Sequence, residues 1–388
     1  MDDLEGKYVL SGPLDRSANY EEYISKAGSA GLPSVSISPH DMVNVQFTSG
    51  LPKSVALSHY NIMNCGRYIW QQTRMTEQDR ICLPVPLFHS FGMIVGISSS
   101  TVAGSALILP SEIYNASKTL QCIQDYKCTA IYGVPTMFVT EMEKPEFDSI
   151  DRLYTCWGMT ELSSFVTMMH ETDPYEKRIK TAGRLFPHFV AKIVQPDTGK
   201  VLPWGEKGEI VASGYGQMSE YLNNKEKTDE TLRYHQEDLE PGGVGGLGDG
   251  TVLRKWMHTG DEGFLDPEGY FIISGRIKDL IIRGGENISP MEIEDRLVEH
   301  EAVVQASIVG VPDDKYGEEL GAFIELRQGC KQPSEDELRA FVREKLARFK
   351  APRYFFWLGD GKAPDEWPKT TSGKVSKPDL RKMVKSLL

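Results

Sequence analysis

Val43-Asn44-Val45-Gln46-Phe47 reads as a short strand, and the elements after it in the chain decide the fold class. Residues 60–74 carry a helical apolar pattern, Ala106-Leu107-Ile108-Leu109 reads as a second strand, and residues 115–126 read as a second helix. Alternation of this kind predicts an α/β arrangement, a largely parallel sheet covered by helices. From about residue 189 to 273 the pattern changes to short strands separated by turns such as Pro196-Asp197-Thr198-Gly199. That predicts a more twisted, mostly antiparallel subdomain.

The C-terminal part reads as a compact α+β unit with marked helix starts. Ser289-Pro290-Met291-Glu292 puts Ser at the N-cap, Pro at the first helical position and Glu two residues later, a capping box ahead of a helix to about His300. Ser334 and Glu337 repeat the device, after which Leu338, Phe341, Val342, Leu346 and Phe349 share one face and Pro352 ends the run. Strands are expected over residues 303–311, 321–326 and 354–358. Residues 236–250, with six glycines, read as an exposed loop and not a phosphate cradle, because no helical pattern comes after them.

The chain has 388 residues, enough for two or three domains. Its 43 Lys and Arg against 55 Asp and Glu leave a formal charge of −12, which argues against a nucleic-acid or anionic-lipid binder. Residues 81–111 hold no charged side chain, but Pro84, Pro86, His89 and three serines in a row make a buried strand, helix and strand the better reading than a membrane span. The six cysteines form no CxxC pair and read as buried thiols of a reducing compartment. An acidic start and an ending without an SKL-type signal lead to the expectation of a cytoplasmic protein.

Four segments combine glycine with polar groups near strand ends. In Gln46-Phe47-Thr48-Ser49-Gly50-Leu51-Pro52-Lys53, a hydroxyl-rich turn and a lysine can face a polyphosphate, and a plain hairpin explains it equally well. Cys156-Trp157-Gly158-Met159-Thr160-Glu161 offers an aromatic plane, a hydroxyl and a carboxylate for a base and Mg²⁺, against the alternative of a capped helix start. Asp261 in His258-Thr259-Gly260-Asp261-Glu262-Gly263 can accept from a ribose diol, and Arg276 in Ser274-Gly275-Arg276-Ile277-Lys278-Asp279 can add a donor. Lys374 in Lys369-Thr370-Thr371-Ser372-Gly373-Lys374-Val375 can neutralise a phosphate, or belong to a solvated basic tail.

Jointly and in this order the four segments resemble the adenylate-forming superfamily of acyl-CoA synthetases, aryl-CoA ligases, luciferases and peptide-synthetase adenylation domains. The medium-chain acyl-CoA synthetase group is the nearest likeness. Pro86-Leu87-Phe88-His89-Ser90-Phe91-Gly92, Tyr132-Gly133-Val134-Pro135-Thr136-Met137-Phe138, Arg283-Gly284-Gly285-Glu286-Asn287-Ile288 and Tyr316-Gly317-Glu318-Glu319 all look like that group. The resemblance runs, with breaks, from about residue 40 to the C-terminus. It implies a poorly defined segment 1–39, an incomplete AMP-binding large domain over 40–277 with mixed sheets, helices and a small β subdomain, and a small α+β C-terminal domain over 278–388.

The resemblance further implies ATP-dependent activation of a medium-chain fatty acid, or another small carboxylate, to acyl-AMP, followed by transfer to coenzyme A. On that likeness Thr48, Ser49, Gly50 and Lys53 form the phosphate loop. Thr160 contacts the α-phosphate and Glu161 holds Mg²⁺. Trp157 and Gly158 lie by the adenine, while Asp261 and Arg276 bind the ribose. Lys374 supports adenylation, Lys278 is the hinge, His89 gates the acyl pocket, and Gly284 and Gly285 flank the pantetheine path of CoA. No paired acid and base is needed, since phosphoryl chemistry rests on positioning and charge.

Three departures accompany the likeness. Leu51 comes directly after Gly50 where the family has Thr-Thr-Gly, and Pro52 brings no N–H donor. The segment that lines the adenine and acyl pocket is missing after Ile150. Residues 1–39 are too few to supply the elements that normally come first. These point to a shortened gene product with impaired activity and to exposed apolar surface, covered by an oligomer or partner. The rival expectations are a non-catalytic protein that binds a nucleotide or acyl-adenylate, and an aryl-CoA ligase or other adenylating enzyme.

Overall fold

The computed structural model describes residues 7–9, 17–19, 36–48, 53–112, 114–142, 144, 147, 155–235, 254–370 and 374–388. The chain divides into two units, Met1–Pro39 and His40–Leu388. In the first, β1 (Lys7–Val9) and β2 (Ser17–Asn19) pair in parallel, with Lys7 opposite Ser17.

The second unit opens on an antiparallel hairpin of β3 (Met42–Phe47) and β4 (Ser54–Ser58), Phe47 opposite Ser54. The strand at 43–47 is therefore not part of the expected parallel sheet. Six residues separate it from β4, and a parallel crossover needs a dozen or more. Ser58 caps α1 (His59–Thr73): its Oγ accepts from the Asn61 N–H, and Asn61 Oδ1 accepts from the Ser58 N–H at 2.8 Å.

The parallel sheet itself is made by β5 (Arg80–Cys82) with two later strands. A π-helical turn over Phe91–Ser98 runs into α2 (Ser99–Ala103) and then β6 (Ala106–Ile108), so the uncharged stretch is strand, helix and strand, in keeping with its serines and prolines. After α3 (Ala116–Tyr126), capped by Asn115, comes β7 (Ala130–Ile131), giving the strand order β6-β5-β7, and then α4 (Pro135–Met142).

The antiparallel part begins with β8 (Cys156–Trp157), β9 (Thr167–Met168), α5 (Tyr175–Lys180) and β10 (Arg184–Leu185), the three strands forming one sheet. Next come β11 (Val190–Val194), β12 (Gly208–Ser213), β13 (Glu220–Tyr221), α6 (Lys225–Thr231), β14 (Leu232–Arg233), β15 (Trp256–Leu265) and β16 (Phe271–Arg276). Their sheet runs β11-β12-β15-β14 with β16 on β15, while β13 leaves it to pair with β4. Leu57, Ile69, Ile94, Leu162, Ile210 and Phe271 bury into one apolar cluster that joins hairpin, helices and sheets.

Residues 281–388 supply β17 (Ile281–Arg283), β18 (Glu286–Ile288), α7 (Pro290–Val298), β19 (Val303–Asp313), β20 (Gly317–Leu326), α8 (Glu335–Lys345), β21 (Tyr354–Trp357) and α9 (Lys377–Leu387). The sheet runs β18-β17-β20-β19, with β21 parallel to β20. Ile293 and Leu297 of α7 and Leu338 and Val342 of α8 share one buried cluster with strand residues, and Leu380 and Val384 of α9 share another with Phe323 and Trp367.

Local expectations fare differently within this part. Ser334 and Glu337 form the reciprocal cap. Ser289 does not: its hydroxyl donates to the Ser274 carbonyl, and Glu292 is drawn to Lys350. Phe349 lies beyond the end of α8 and is 37% exposed, because the helix stops at Lys345. Cys330 is exposed, not buried, since it sits in the turn that closes on Arg327; Cys65 and Cys82 are buried, and all six thiols are free. The glycine-rich residues 236–250 and the break after Ile150 lie outside the described residues. No described helix is long and apolar enough to cross a membrane.

One carboxyl of this scaffold is unusually placed. Glu141 is 2% exposed, and burial raises its pKa to about 7, with one compensating hydrogen bond from the Tyr114 hydroxyl at 3.3 Å. A carboxyl raised on folding takes up protons on folding, so stability falls as pH rises from the unfolded value near 4.5 to the folded one. Glu141→Gln is expected to be neutral near pH 4 and to stabilise by up to about 3 kcal/mol above pH 7. Urea unfolding midpoints at the two pH values measure this, and an equal effect at both would refute it.

Candidate active site

Gly158 leaves β8 where a side chain has no room, since a Cβ there would lie 1.7 Å from the Ser164 carbonyl oxygen. The chain then makes a single 3₁₀ turn over Thr160–Leu162 and not a full helix. Ser163 and Ser164, at φ 55° and 89°, bring it back so that the Val166 N–H bonds to the Trp157 carbonyl at 2.9 Å. This hook holds Thr160 Oγ1 3.4 Å from Ser90 Oγ and buries the Glu161 carboxylate.

Glu161 Oε1 accepts from the Tyr221 hydroxyl at 2.7 Å, and Lys53 Nζ stands 2.9 Å from that hydroxyl and 3.5 Å from the same carboxylate oxygen. Burial first, and the charge of Glu161 second, push the Tyr221 phenol far above its ordinary pKa, so it remains a donor. The tyrosine sits there because β13 pairs with β4, placing Tyr221 opposite Val55. At the tip of the hairpin the Thr48 N–H bonds to the Lys53 carbonyl at 3.1 Å, and the buried Thr48 Oγ1 has no partner among the described residues. Thus the hairpin is real, and it still leaves a hydroxyl and a lysine at its tip. Ser49 and Gly50 lie outside the described residues.

A second cluster forms around Asp261, which is 5% exposed. Its Oδ1 pairs with Arg276 Nε at 2.6 Å across the β15–β16 ladder, where the two residues are register partners. Its Oδ2 accepts from the indole N–H of Trp157 at 2.7 Å. Burial raises the Asp261 pKa against the opposing pull of Arg276, Trp157 and Lys374. Trp157 is itself buried, its ring stacked on Phe271 at 6.3 Å, so what it does here is hold the carboxylate.

Lys374 approaches this group from the C-terminal part, on a turn in which the Thr370 N–H bonds to the Lys374 carbonyl at 2.7 Å. Although its side chain remains open to solvent, crowding by the surrounding protein and the positive charge of Arg276 lower its pKa, against a smaller pull from Asp261. His89 is near enough to feel the same charge: burial first, and Lys374 second, lower its pKa. Its Nδ1 accepts from the Phe91 N–H at 3.1 Å.

Contacts and charge interactions therefore link Lys53 to Glu161, Thr160 to Ser90, Asp261 to Arg276 and Trp157, and Lys374 to Asp261, Arg276 and His89, with Gly158 inside the hook that joins Trp157 to Thr160. Gly284 and Gly285 are not joined to these groups. They sit at φ 60° and 89° in the β17–β18 turn, and the Gly284 N–H bonds to the Tyr316 carbonyl at 2.8 Å. Lys278 is exposed on the 3₁₀ turn Ile277–Asp279 that leads out of β16. Tyr221 and Ser90 are the residues that reading the sequence missed. Ser90 stands inside the motif over residues 86–92, but only the fold brings Tyr221 to Lys53.

Glu161 fits the part of a Mg²⁺ ligand. Its Oε2 takes no hydrogen bond from a described residue, and Mg²⁺ needs few protein carboxylates when phosphate oxygens complete its shell. Among the described residues no cluster of three His, Cys, Asp or Glu side chains offers an all-protein cation site.

The AMP-binding enzyme family matches residues 5–151 and 146–222, and the AMP-binding enzyme C-terminal domain matches residues 292–374. The chain belongs to the AMP-binding enzyme family. The match starts well ahead of residue 40, where the motif likeness began, and its two pieces meet at 146–151, beside the break after Ile150. The acyl-CoA ligase sidI of Aspergillus fumigatus is 39% identical over 425 positions, which cover 99% of this chain and 69% of that relative. That span exceeds the 388 residues of the chain, so the relative carries internal residues this AMP-binding protein lacks. The mitochondrial medium-chain acyl-CoA ligase ACSF2 of Bos taurus is 35% identical over 91% of this chain and 59% of its own length.

Among solved structures, ATP-bound MatB from Rhodopseudomonas palustris superposes with a TM-score of 0.80 at 25% identity, over 94% of this chain and 73% of that one. The o-succinylbenzoate CoA synthetase MenE of Bacillus subtilis, in complex with its acyl-adenylate intermediate, gives 0.74 at 26% identity over 94% and 74%. The α/β class and the mixed-sheet architecture with a small C-terminal part are those of this family.

The Arg276 charge acting on Lys374 yields a directional test. Arg276→Gln removes the repulsion and is expected to shift the Lys374 midpoint upward, read from the pH dependence of amine modification of the Lys374 peptide by mass spectrometry. An unmoved midpoint would separate the two charges.

Proposed function

We propose that the cleft activates a carboxylate with ATP, giving acyl-AMP and pyrophosphate, and then passes the acyl group to the thiol of coenzyme A with release of AMP. The observation that carries this reading is the meeting of Asp261, Arg276 and Trp157 with Lys374, from three segments far apart in the chain. A medium-chain fatty acid is the substrate favoured by the ACSF2 relatives.

In this reading Asp261 and Arg276 hold the ribose hydroxyls, and Trp157 and Gly158 shape the adenine side. Thr48, Ser49, Gly50 and Lys53 face the phosphates, and Thr160 donates to the α-phosphate. Glu161 would hold Mg²⁺, which supplies charge neutralisation on the phosphate oxygens. Lys374 brings a mobile positive charge to the reacting phosphorus, where charge builds during in-line attack. His89 borders the acyl chain, while Gly284 and Gly285 border the thiol's approach. The large part spans 40–277 and the small part 278–388, with Lys278 the pivot between the half-reactions.

Turnover is expected to be low. The sequence lacks the Thr-Thr-Gly that the family has after Gly50, Pro52 brings no N–H donor, and losing one such donor typically costs ~10²–10³ in rate. That shortfall favours a second reading, a protein that binds a nucleotide or acyl-adenylate without turning it over; a ligase for an aryl acid is a third. ATP–pyrophosphate exchange with fatty acids of graded length, beside titration calorimetry with AMP, decides among them. We expect AMP binding with exchange ~100-fold or more below that of full-length MatB-type enzymes. Loss of the residual exchange in Lys374→Ala would assign it to this cleft. Exchange at a complete enzyme's level refutes the impairment, and no heat with AMP removes the nucleotide reading altogether.

A further inference from the structure

Asp261 owes its aim to a bulge. Along the β12–β15 ladder Glu209 faces Glu262 and Val211 faces His258, so Thr259, Gly260 and Asp261 stand opposite Ile210 alone. Such an insertion re-aims a side chain out of the regular strand and needs its own bonds to hold shape. Thr259 supplies two: its Oγ1 donates to the Ile210 carbonyl at 2.7 Å and accepts from the Asp261 N–H at 3.0 Å.

Glu209 supplies the rest. Its side chain is 8% exposed, and its Oε1 accepts from the Gly260 N–H at 3.0 Å, at the point where Gly260 takes φ 70°. Its Oε2 lies 2.8 Å from Nδ1 of His258, whose Nε2 lies 3.0 Å from Nε2 of the buried His235. Burial works against the Glu209 charge, but the bond and charge of His258 with the Gly260 amide outweigh it, and the carboxyl stays below its ordinary pKa. A buried carboxylate with both oxygens engaged on one side of a bulge is rigid, and removing it would leave the Gly260 amide and the His258 ring without their acceptor.

We propose that Glu209 is a positioning residue for nucleotide recognition: by clamping Gly260 and His258 it fixes the bulge that presents Asp261 to the ribose diol. The inference rests on the nucleotide reading of the cleft, and it adds a specificity determinant that touches no ligand. The ring of His258, oriented by Glu209 and backed by His235, is the other half of the clamp.

The test compares AMP with 2′,3′-dideoxy-AMP by calorimetry on the full chain. The wild-type protein is expected to prefer AMP by ~10-fold or more, the worth of a charge-assisted hydrogen bond. Glu209→Ala is expected to lose that preference, binding the two nucleotides within about threefold of each other, whereas simple destabilisation would weaken both alike and keep the ratio. Glu209→Gln, which still accepts from Gly260, is expected to retain the preference. Glu209→Asp, too short to span Gly260 and His258, takes the place of the alanine variant should that one not fold, with the same expected loss. Retention of the ratio in the alanine or aspartate variant overturns the role of Glu209 and leaves the cleft reading standing. A wild-type protein that binds both nucleotides equally, or neither, overturns the cleft reading and this role with it.

Discussion

Removing a partner from a buried carboxylate is strongly destabilising, and Asp261 is one such charge in the interior of this protein. Arg276 answers it across the β15–β16 ladder and Trp157 answers it from β8. Two consecutive strands and the distant β8 are thereby tied to one pair of oxygens. The Trp157 link also orients the hook after it, because Gly158, Thr160 and Glu161 come directly beyond the indole. Loss of either partner would leave a charge at 5% exposure with half its bonds, so packing around the site and recognition by it are the same problem.

The second charged group, Lys53 with Glu161 and Tyr221, has a different character. Here the cation is neutralised within the protein by a carboxylate, with a phenol wedged between them. The arrangement engages one oxygen of Glu161 and keeps the hairpin tip against the 3₁₀ turn. It also means that a lysine reading as free from its neighbours in the chain is spoken for in three dimensions. The Thr48 hydroxyl, buried and without a partner among the described residues, stands ready at that end.

Much of this was legible in the chain. Periodicity and turn residues marked the helices at His59–Thr73 and Ala116–Tyr126 and the reciprocal cap at Ser334, because each depends on bonds within a few residues. The convergence of Trp157, Asp261, Arg276 and Lys374 came from motif order, which carries inherited topology that no local rule contains. What escaped was set by partners far away. Ser289 looked like a cap until the Ser274 carbonyl claimed its hydroxyl. Tyr221 and Glu209 sit in ordinary strand sequence, and only the pairings of β13 with β4 and β12 with β15 give them their duties. The hairpin of β3 and β4 interrupts the parallel pattern because a short connection can only double back.

In the function proposed above, the bonding of Asp261 sets the terms on which a sugar is admitted. An incoming hydroxyl meets no bare anion: one oxygen faces an indole donor and the other a guanidinium. Admission is therefore a swap of donors, and its net strength is a small difference between two well-made arrangements. On the proposed chemistry, so even a balance suits a spent nucleotide that must depart before the next can enter.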